Sequence, residues 1–125
     1  RHFYTRQQIR DVLGGGTVEY LPHVDGRVVC ATLSPVVNPD APRIDLPGRG
    51  PQIEKWAAAF CRQKDPVPVF LKRETNRWQY VGDFFVERSS NDPNEIAHHQ
   101  AVVGRPVTSV IYLQEGRREA GNSER

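Results

Sequence analysis

The sequence has 125 residues, of which 38% are hydrophobic and 26% charged, with a formal net charge of +2. This length fits one domain with a substantial core and is too short for two. No apolar run reaches the roughly eighteen residues that a membrane span needs, and the polar N-terminal residues are not typical of a secretion signal. We therefore expect a cytoplasmic protein in which Cys30 and Cys61 are reduced.

The cations are unevenly chosen, since fourteen of the seventeen are arginine. Arginine suits phosphates, guanine edges and aromatic faces, but a GC-rich genome explains the same bias equally well. The composition alone therefore does not establish a nucleic-acid binder. Because the sequence contains no methionine, we expect a trimmed domain or part of a longer protein.

The first third of the chain predicts a helix and a hairpin. Residues 5–13 carry apolar side chains at helical spacing, with Thr5 as N-cap and three glycines after the helix. Residues 17–33 predict a β-hairpin, because Asp25-Gly26 is a strong turn signal between β-branched residues.

A long loop and a second helix follow. Residues 34–51 contain five prolines and two glycines, and such a loop in a small domain is usually functional or disordered. Its prolines favour a fixed shape. Residues 52–63 predict a helix that packs on a sheet through one apolar face.

Residues 68–85 predict the central hairpin, with a Thr75-Asn76 turn. The predicted register pairs Arg73 with Trp78, Leu71 with Tyr80 and Phe70 with Val81. A polar loop with at most one helical turn is expected at 89–100, and a last strand at 107–114. We expect one domain over 1–114 and a disordered tail over 115–125, which has no apolar anchor.

Together these elements predict an α+β fold. Tight turns between strands favour a strongly bent, mostly antiparallel sheet or a partly closed β-barrel, with two flanking helices.

The stretch RWQYVGDFFVE contains the main candidate site. A glycine inside a strand usually marks a bulge or bend, so Gly82 is expected to curve the sheet. Such a bend is also what a sheet needs to curl into a β-barrel, even when no ligand is bound. The functional interpretation adds a concavity lined by Tyr80 and Asp83, an aromatic that stacks on a flat ligand and a carboxylate that accepts from its amino edge.

Other candidates are weaker. The predicted pairing of Arg73 with Trp78 indicates either a cation–π contact or ordinary side-chain packing at the end of the hairpin. Asn38 and Asp40 lie in a rigid NPDAP turn, and Arg49 stands between two glycines where the backbone can approach a phosphate. The adjacent histidines 98 and 99 diverge and have no ligand at metal spacing. No nucleophile motif, P-loop or nuclease-like cluster argues for catalysis.

The order of the motifs FYTRQQIRDVLGG, VNPDAP, LPGRGP and PVPVFLKRETNRWQYVGDFFVE resembles a bacterial domain found alone or attached to HNH-type restriction endonucleases. That domain is similar to the SRA-like division of the PUA superfamily, and the resemblance spans residues 3–114. It implies a reader of modified DNA that flips the base, 5-methylcytosine or 5-hydroxymethylcytosine by default, in a restriction system. It implies no metal or organic cofactor, and cleavage, if any, by another domain.

Side-chain chemistry then assigns residues to the two parts of such a site. The predicted base-pocket residues are Tyr80, Asp83, Trp78, Asn38 and Asp40. The predicted contacts to the nucleic-acid backbone are Arg49, Lys72, Arg73, Arg77 and Arg6.

Three alternatives remain open at the level of the sequence. The first is an RNA-binding PUA or ASCH-like module. The second is a small enzyme acting on a nucleoside or nucleobase, with Asp83 or Asp40 as general base. The third is a protein-interaction module without a nucleotide ligand.

Overall fold

The structure is a computed structural model, and it describes residues 2–117. Its helices are α1 (Arg6–Leu13), α2 (Pro51–Gln63) and α3 (Pro93–Val103). Its strands are β1 (His23–Val24), β2 (Arg27–Val28), β3 (Ala31–Leu33), β4 (Ile44–Asp45), β5 (Val67–Glu74), β6 (Arg77–Ser90) and β7 (Val110–Glu115).

A five-stranded sheet organises the domain, with strand order β3-β5-β6-β7-β4. All its pairs are antiparallel except β3 with β5. Strands β1 and β2 form a separate two-stranded hairpin. The predicted α+β class and the mostly antiparallel sheet are confirmed, but the sheet is not closed and three helices are present in the described part of the chain.

Helix α1 begins and ends where the sequence predicts. Thr5 accepts a hydrogen bond from the backbone N–H of Gln8, whose side chain accepts one from the backbone N–H of Thr5, which forms a complete capping box. Gly14, with a φ of 87°, ends the helix. Ile9 is buried and packs in a small cluster with Phe70.

Helix α2 covers the main core. Pro51 starts it, a favourable first position because the missing N–H would have no helical partner there. Ala57 and Phe60 are buried among side chains of β3, β5, β6 and β7. Truncating a buried phenylalanine to alanine typically costs about 3–5 kcal/mol, so α2 is held firmly to the sheet.

Strand β6 contains the predicted bulge beside Gly82. Val69 pairs with Gly82 while Phe70 pairs with Tyr80, so Val81 is an extra residue on β6. Gly82 has a φ of 125°, a conformation that residues with a Cβ rarely adopt. The glycine is therefore required by the backbone itself.

The bulge changes which face of the sheet each side chain occupies. Trp78 packs with Ile9 and Phe70 beneath α1. Phe84 instead lies in the main core with Leu71, the neighbour of Phe70 on β5. Neighbouring residues of a strand point to opposite faces, so Trp78 and Phe84 do not share the face that a regular strand would give them.

The three predicted pairs of the β5–β6 hairpin are wrong, but the pairing returns to the predicted register at Val69, which pairs with Gly82. Glu74 pairs with Arg77 next to the turn, but Lys72 pairs with Trp78. Arg73 is therefore an extra residue on β5, and it does not face Trp78. Its guanidinium donates to Gln79 at 2.7 Å instead.

Three further predictions need correction. Residues 93–103 form helix α3, capped by Asp92, where a polar loop was expected. The long loop contains strand β4, which pairs with β7. The predicted hairpin over 17–33 is confined to β1 and β2, because β3 joins the main sheet beside β5.

The C-terminal boundary also differs slightly from the prediction. Glu115, expected in the tail, belongs to β7, and residues 118–125 of the predicted disordered tail lie outside the described residues. Cys30 and Cys61 are free thiols, as predicted. None of the helices within residues 2–117 is long and apolar enough to cross a membrane.

Candidate nucleic-acid interface

A cavity of about 570 Å³ opens where β3 and the β5–β6 hairpin end. Its walls come from residues 17–20 after α1, residues 34–48 of the proline-rich loop, and the hairpin end around residues 72–78. We call it the main cavity. It lies in the range of about 300–1,000 Å³ that is usual for small-molecule sites.

Asp45 lies at the inner end of the main cavity. It is 1% exposed and is the one charged side chain that is buried within residues 2–117. Apart from the neighbouring Tyr20 hydroxyl, which donates towards the carboxylate, its oxygens have no hydrogen-bond partner of good geometry in the described part of the chain. Burial raises the pKa of Asp45 from 3.8 to about 7, although the nearby Tyr20 hydroxyl and Arg105 guanidinium favour the carboxylate.

Tyr20 lies beside Asp45 in the wall of the cavity. Its hydroxyl is buried without a hydrogen-bond partner of good geometry among residues 2–117. Burial, and then the charge of Asp45, raise the pKa of this hydroxyl well above 10. The Tyr20 carbonyl accepts from the Thr32 backbone N–H at 2.8 Å, which fixes this segment against β3.

Arg105 holds the proline-rich loop in place from the segment before β7. Its Nη2 donates to the carbonyls of Val37 at 2.6 Å and Leu46 at 2.8 Å. The Asn38 amide oxygen accepts from the Leu46 N–H at 2.9 Å. Both main-chain groups of the residue after Asp45 are therefore bonded, and the position of the carboxyl is fixed through the backbone.

Arg6, Trp78 and Asn76 line another part of the main cavity, and the exposed Lys72 lies beside them. The Asn76 amide oxygen accepts from the Arg6 backbone N–H at 2.9 Å. The Arg6 guanidinium lies 5.5 Å from the centre of the Trp78 ring. Arg6 Nε and Trp78 Nε1 have no acceptor within residues 2–117.

Exposed aliphatic side chains surround the mouth of the cavity. Val18, which lines the cavity, is 86% exposed, and Val36, next to Val37 of the wall, is 88% exposed. Val37 and Ile53, both part of the cavity wall, are also exposed. Single exposed apolar residues are ordinary, but a group of them at a concave site indicates a surface that another molecule covers.

The structure brings four of the ten predicted site residues together. Asn38 and Trp78 of the predicted base pocket line the main cavity, as do Arg6 and Lys72 of the predicted backbone contacts. Asn38 uses its amide to brace the loop, and so contributes to the shape of the cavity.

Tyr80 and Asp83 lie outside the main cavity. The Tyr80 hydroxyl donates to the Asp83 carboxylate at 2.8 Å. Tyr80 lines a smaller hollow of about 260 Å³ against α1, beside Ile9 and Phe70. Their predicted role at a base stays a prediction, and it requires a different binding surface from the one that contains Asp45.

The remaining four predicted residues are exposed and do not line the main cavity. Arg49 follows Gly48, which belongs to the wall, so it is close to the mouth. Arg77 lies 4.3 Å from the centre of the Phe3 ring and pairs with Glu74. The other two are Asp40 and Arg73.

Tyr20, Asp45 and Arg105 were missed by the sequence predictions. The one available signal was the acid between Ile44 and Leu46, since an acid flanked by apolar residues in a rigid loop indicates enforced burial. The histidine pair lies on α3 with ring centres 5.3 Å apart. No group of three histidine, cysteine or acidic residues within 2–117 is placed to hold a metal ion.

Comparison with solved structures confirms the predicted SRA-like fold. The chain is similar to the solved structure of the SUVH5 SRA domain in complex with hemimethylated CG DNA, with a TM-score of 0.62. The match covers 96% of this chain and 90% of that chain at 14% sequence identity. No protein-family model matches the chain, and no curated protein matches it significantly.

Proposed function

We propose that this chain binds double-stranded DNA and takes a modified cytosine into the main cavity. The proposal rests on one observation. Within residues 2–117, seven buried side-chain nitrogen and oxygen atoms have no hydrogen-bond partner of good geometry. Six of these seven atoms belong to residues that line the main cavity. Each such atom costs about 1–3 kcal/mol, so their concentration is typical of a site whose ligand supplies the partners. They belong to Arg6, Tyr20, Asp45, Trp78 and Arg105.

Asp45 is the residue that reads the base in this proposal. The Watson–Crick edge of cytosine offers an amino donor at N4 beside an acceptor at N3. A protonated carboxyl group offers one donor and one acceptor and so matches that edge with two hydrogen bonds. Because the pKa of Asp45 is raised to about 7, the protonated form is well populated at neutral pH.

Tyr20 supplies the aromatic surface. Its hydroxyl is buried towards Asp45 while the side chain as a whole keeps part of its surface exposed in the cavity wall. Stacking of a base on an aromatic ring is worth about 1–3 kcal/mol. That gain offsets much of the few kcal/mol needed to take a base out of the duplex.

The surroundings of the cavity suit a duplex. Val18 lines the cavity and Val36 precedes Val37 of its wall, and exposed apolar side chains at such positions can fill the gap that an extruded base leaves in the stack. The exposed cations Lys72 and Arg49 are available to backbone phosphates. The SUVH5 SRA domain, which has the same fold, was solved with hemimethylated CG DNA, and this supports a duplex as the partner.

The test is a panel of duplexes that differ at one cytosine, which is unmodified, 5-methylated or 5-hydroxymethylated. Affinities are measured at two salt concentrations, with an RNA hairpin as a further arm. We expect tighter binding to a modified duplex and weaker binding of every duplex at high salt. Equal affinity for modified and unmodified duplexes, or a preference for the RNA, would overturn the proposal.

Variants then identify the base-reading residue. Asp45→Leu removes both hydrogen bonds and should weaken binding of the modified duplex about tenfold or more. Asp45→Asn should retain this binding, because an amide also offers one donor and one acceptor. Asp11→Leu, at an exposed position on α1, is the matched control. Asp83→Leu tests the competing prediction, and a loss of preference there alone would move the site to β6.

We further propose that the chain is the targeting part of a cytoplasmic restriction or defence system. The resemblance to domains attached to HNH endonucleases supports this context. Cleavage then belongs to another domain or subunit. Incubation of modified plasmid with this chain and Mg²⁺ should leave the plasmid intact. Cleavage that depends on Asp45 would contradict the assignment of cleavage to another domain or subunit.

A further inference from the structure

Residues 14–20 form the part of the cavity wall that follows α1, and we call them the wall segment. They include Val18 and Tyr20, which line the main cavity. The segment belongs to no helix or strand, and it begins with three glycines, of which Gly14 and Gly15 have φ values of 87° and 86°. Because glycine has more conformational freedom than any other residue, the position of Tyr20 depends on contacts between the wall segment and the rest of the fold.

Two residues outside the wall segment hold it by hydrogen bonds to its carbonyls. The Thr32 backbone N–H donates to the Tyr20 carbonyl at 2.8 Å, and the Thr32 hydroxyl lies 3.0 Å from the same oxygen. Arg6 Nη2 donates to the Glu19 carbonyl at 2.9 Å and to the Gly16 carbonyl at 3.4 Å. Thr32 therefore holds the end of the wall segment, whereas Arg6 spans its middle.

Arg6 is itself fixed on two sides. It is the first residue of α1, and its backbone N–H donates to the Asn76 amide oxygen at 2.9 Å. Its guanidinium lies 5.5 Å from the centre of the Trp78 ring, which is within the range of a cation–π contact. One side chain thus connects the start of α1, the end of the β5–β6 hairpin and the wall segment.

These contacts make Arg6 a poor ligand for a DNA phosphate. A guanidinium binds a phosphate through two parallel N–H donors. Both possible pairs, Nε with Nη2 and Nη1 with Nη2, include Nη2, which already donates to two carbonyls. Nε is buried and has no acceptor within residues 2–117. Burial lowers the pKa of Arg6, and the Glu19 carboxylate is among the groups that oppose this shift, so a negative charge already lies near the guanidinium.

We propose that Arg6 is a positioning residue for the main cavity, which holds the wall segment so that the Tyr20 ring stacks on the extruded base, and that it makes no contact with DNA. This inference rests on the proposed function. It goes beyond it by giving Arg6 a role different from the backbone contact that the sequence predicts. Phosphates at this side of the cavity are then left to the exposed Lys72.

Two measurements on a duplex containing one 5-methylcytosine separate the two roles. The first is the salt dependence of the affinity, whose logarithmic slope falls by about one when a phosphate contact is lost. The second is the fluorescence of a 2-aminopurine placed beside the 5-methylcytosine, which reports whether that base leaves the stack. It is recorded with protein at saturation. Because all of the duplex is then bound, a loss of stability or of affinity in a variant does not change this signal.

Arg6→Gln should weaken binding of this duplex about tenfold or more, the value of a hydrogen bond to a charged group. It should also lose fluorescence at saturation and keep the wild-type salt slope. Lys72→Gln removes an exposed cation beside the same cavity and should do the reverse, with full fluorescence and a slope reduced by about one. Arg27→Gln, at an exposed position that pairs with Asp65, is the matched control and should change neither.

Amide exchange tests the same role without DNA. The Thr32 N–H, which donates to the wall segment, should exchange faster in Arg6→Gln than in wild type. The Leu113 N–H donates to the Arg43 carbonyl at 2.8 Å near the opposite edge of the sheet, and its exchange should not change. Unchanged exchange at Thr32 would show that the wall segment is held without Arg6, and would overturn the inference.

The DNA measurements distinguish failure of this inference from failure of the proposed function. If Arg6→Gln keeps full fluorescence and its salt slope falls by about one, Arg6 binds a phosphate and the inference is overturned, while the wild-type signal still supports the base reader. If wild type gives no fluorescence change and binds methylated and unmodified duplexes equally, the proposed function is overturned and the inference with it.

Discussion

Replacing Asp45 with asparagine should make the protein less sensitive to pH and more stable above neutrality. Burial raises the pKa of this carboxyl from 3.8 to about 7, so the folded protein binds the proton more tightly than the unfolded chain does. Its contribution to stability is therefore fully present below about pH 4 and falls as the pH rises to about 7. The whole difference corresponds to roughly 4 kcal/mol. Asparagine is nearly isosteric and does not titrate.

Other groups around Asp45 do not titrate in that window. Burial keeps the pKa of Tyr20 well above 10 and raises that of Cys61 above 9. Groups elsewhere contribute equally to both proteins and cancel when the variant is compared with wild type. The difference between the two pH dependences thus reports on Asp45 alone.

Urea denaturation at pH 5 and pH 8 measures this difference. Between these two values wild type should lose roughly 2–3 kcal/mol of unfolding free energy relative to Asp45→Asn. Asp25→Asn, the same change at an exposed turn, should follow wild type. Parallel pH profiles for wild type and Asp45→Asn would refute the reasoning, because they would mean that the carboxyl has an ordinary pKa and is not held away from water.

Three other predictions follow from the same geometry. The affinity of wild type for a modified duplex should fall up to tenfold per pH unit above pH 7, while that of Asp45→Asn stays level in the same titration. Gly82→Ala should cost about 1–3 kcal/mol in urea denaturation, because the residue has a φ of 125° and the added Cβ would lie 3.1 Å from a Glu115 oxygen; an unchanged midpoint would contradict this. The double change Val18→Ser and Val36→Ser should weaken duplex binding about tenfold by fluorescence anisotropy and leave stability within about 0.5 kcal/mol, since both side chains are exposed; unchanged affinity would exclude them from the interface.

Local signals in the sequence were sufficient for two helices and for the bulge. The capping box at Thr5, the glycine after α1 and the proline at the start of α2 each act within one turn of the chain. A glycine inside a strand, such as Gly82, likewise indicates a backbone φ that other residues rarely adopt. Helix α3 was not predicted from the sequence, because none of its residues is completely buried and its sequence has little amphipathic pattern.

The register and the position of the site depend on contacts that the sequence does not display. Glu74 and Arg77 pair as the two-residue turn predicts, but the extra residue at Arg73 shifts the next three pairs by one residue. The predicted register returns at Val69, which pairs with Gly82. A second extra residue at Val81 then exchanges the faces of β6. Grouping Tyr80 with Asp83 required a change of face between them, since residues three apart point to opposite sides of a regular strand. The extra residue at Val81 supplies that change, and the two side chains are hydrogen-bonded.

Asp45 could not be located for a different reason. Strand β4 has two residues, and it exists because Asp45 pairs with Ile111, far along the chain. A proline-rich segment with such a short strand carries no alternating pattern to detect. Its burial follows from tertiary structure alone, so the sequence predicted a rigid functional loop without indicating which of its residues is enclosed.

The way in which the loop is fixed explains why the carboxyl of Asp45 remains available. A buried acid is usually held by hydrogen bonds to its own oxygens, and these bonds would compete with a ligand. Here the neighbouring Leu46 is held instead, through its N–H by Asn38 and through its carbonyl by Arg105. The backbone positions the side chain, whose oxygens have no hydrogen-bond partner of good geometry in the described residues apart from the Tyr20 hydroxyl. Arg105→Lys should loosen residues 37–46, seen as faster amide exchange at Leu46, and weaken base discrimination without touching the carboxyl; unchanged exchange would show that the loop is held by its prolines alone.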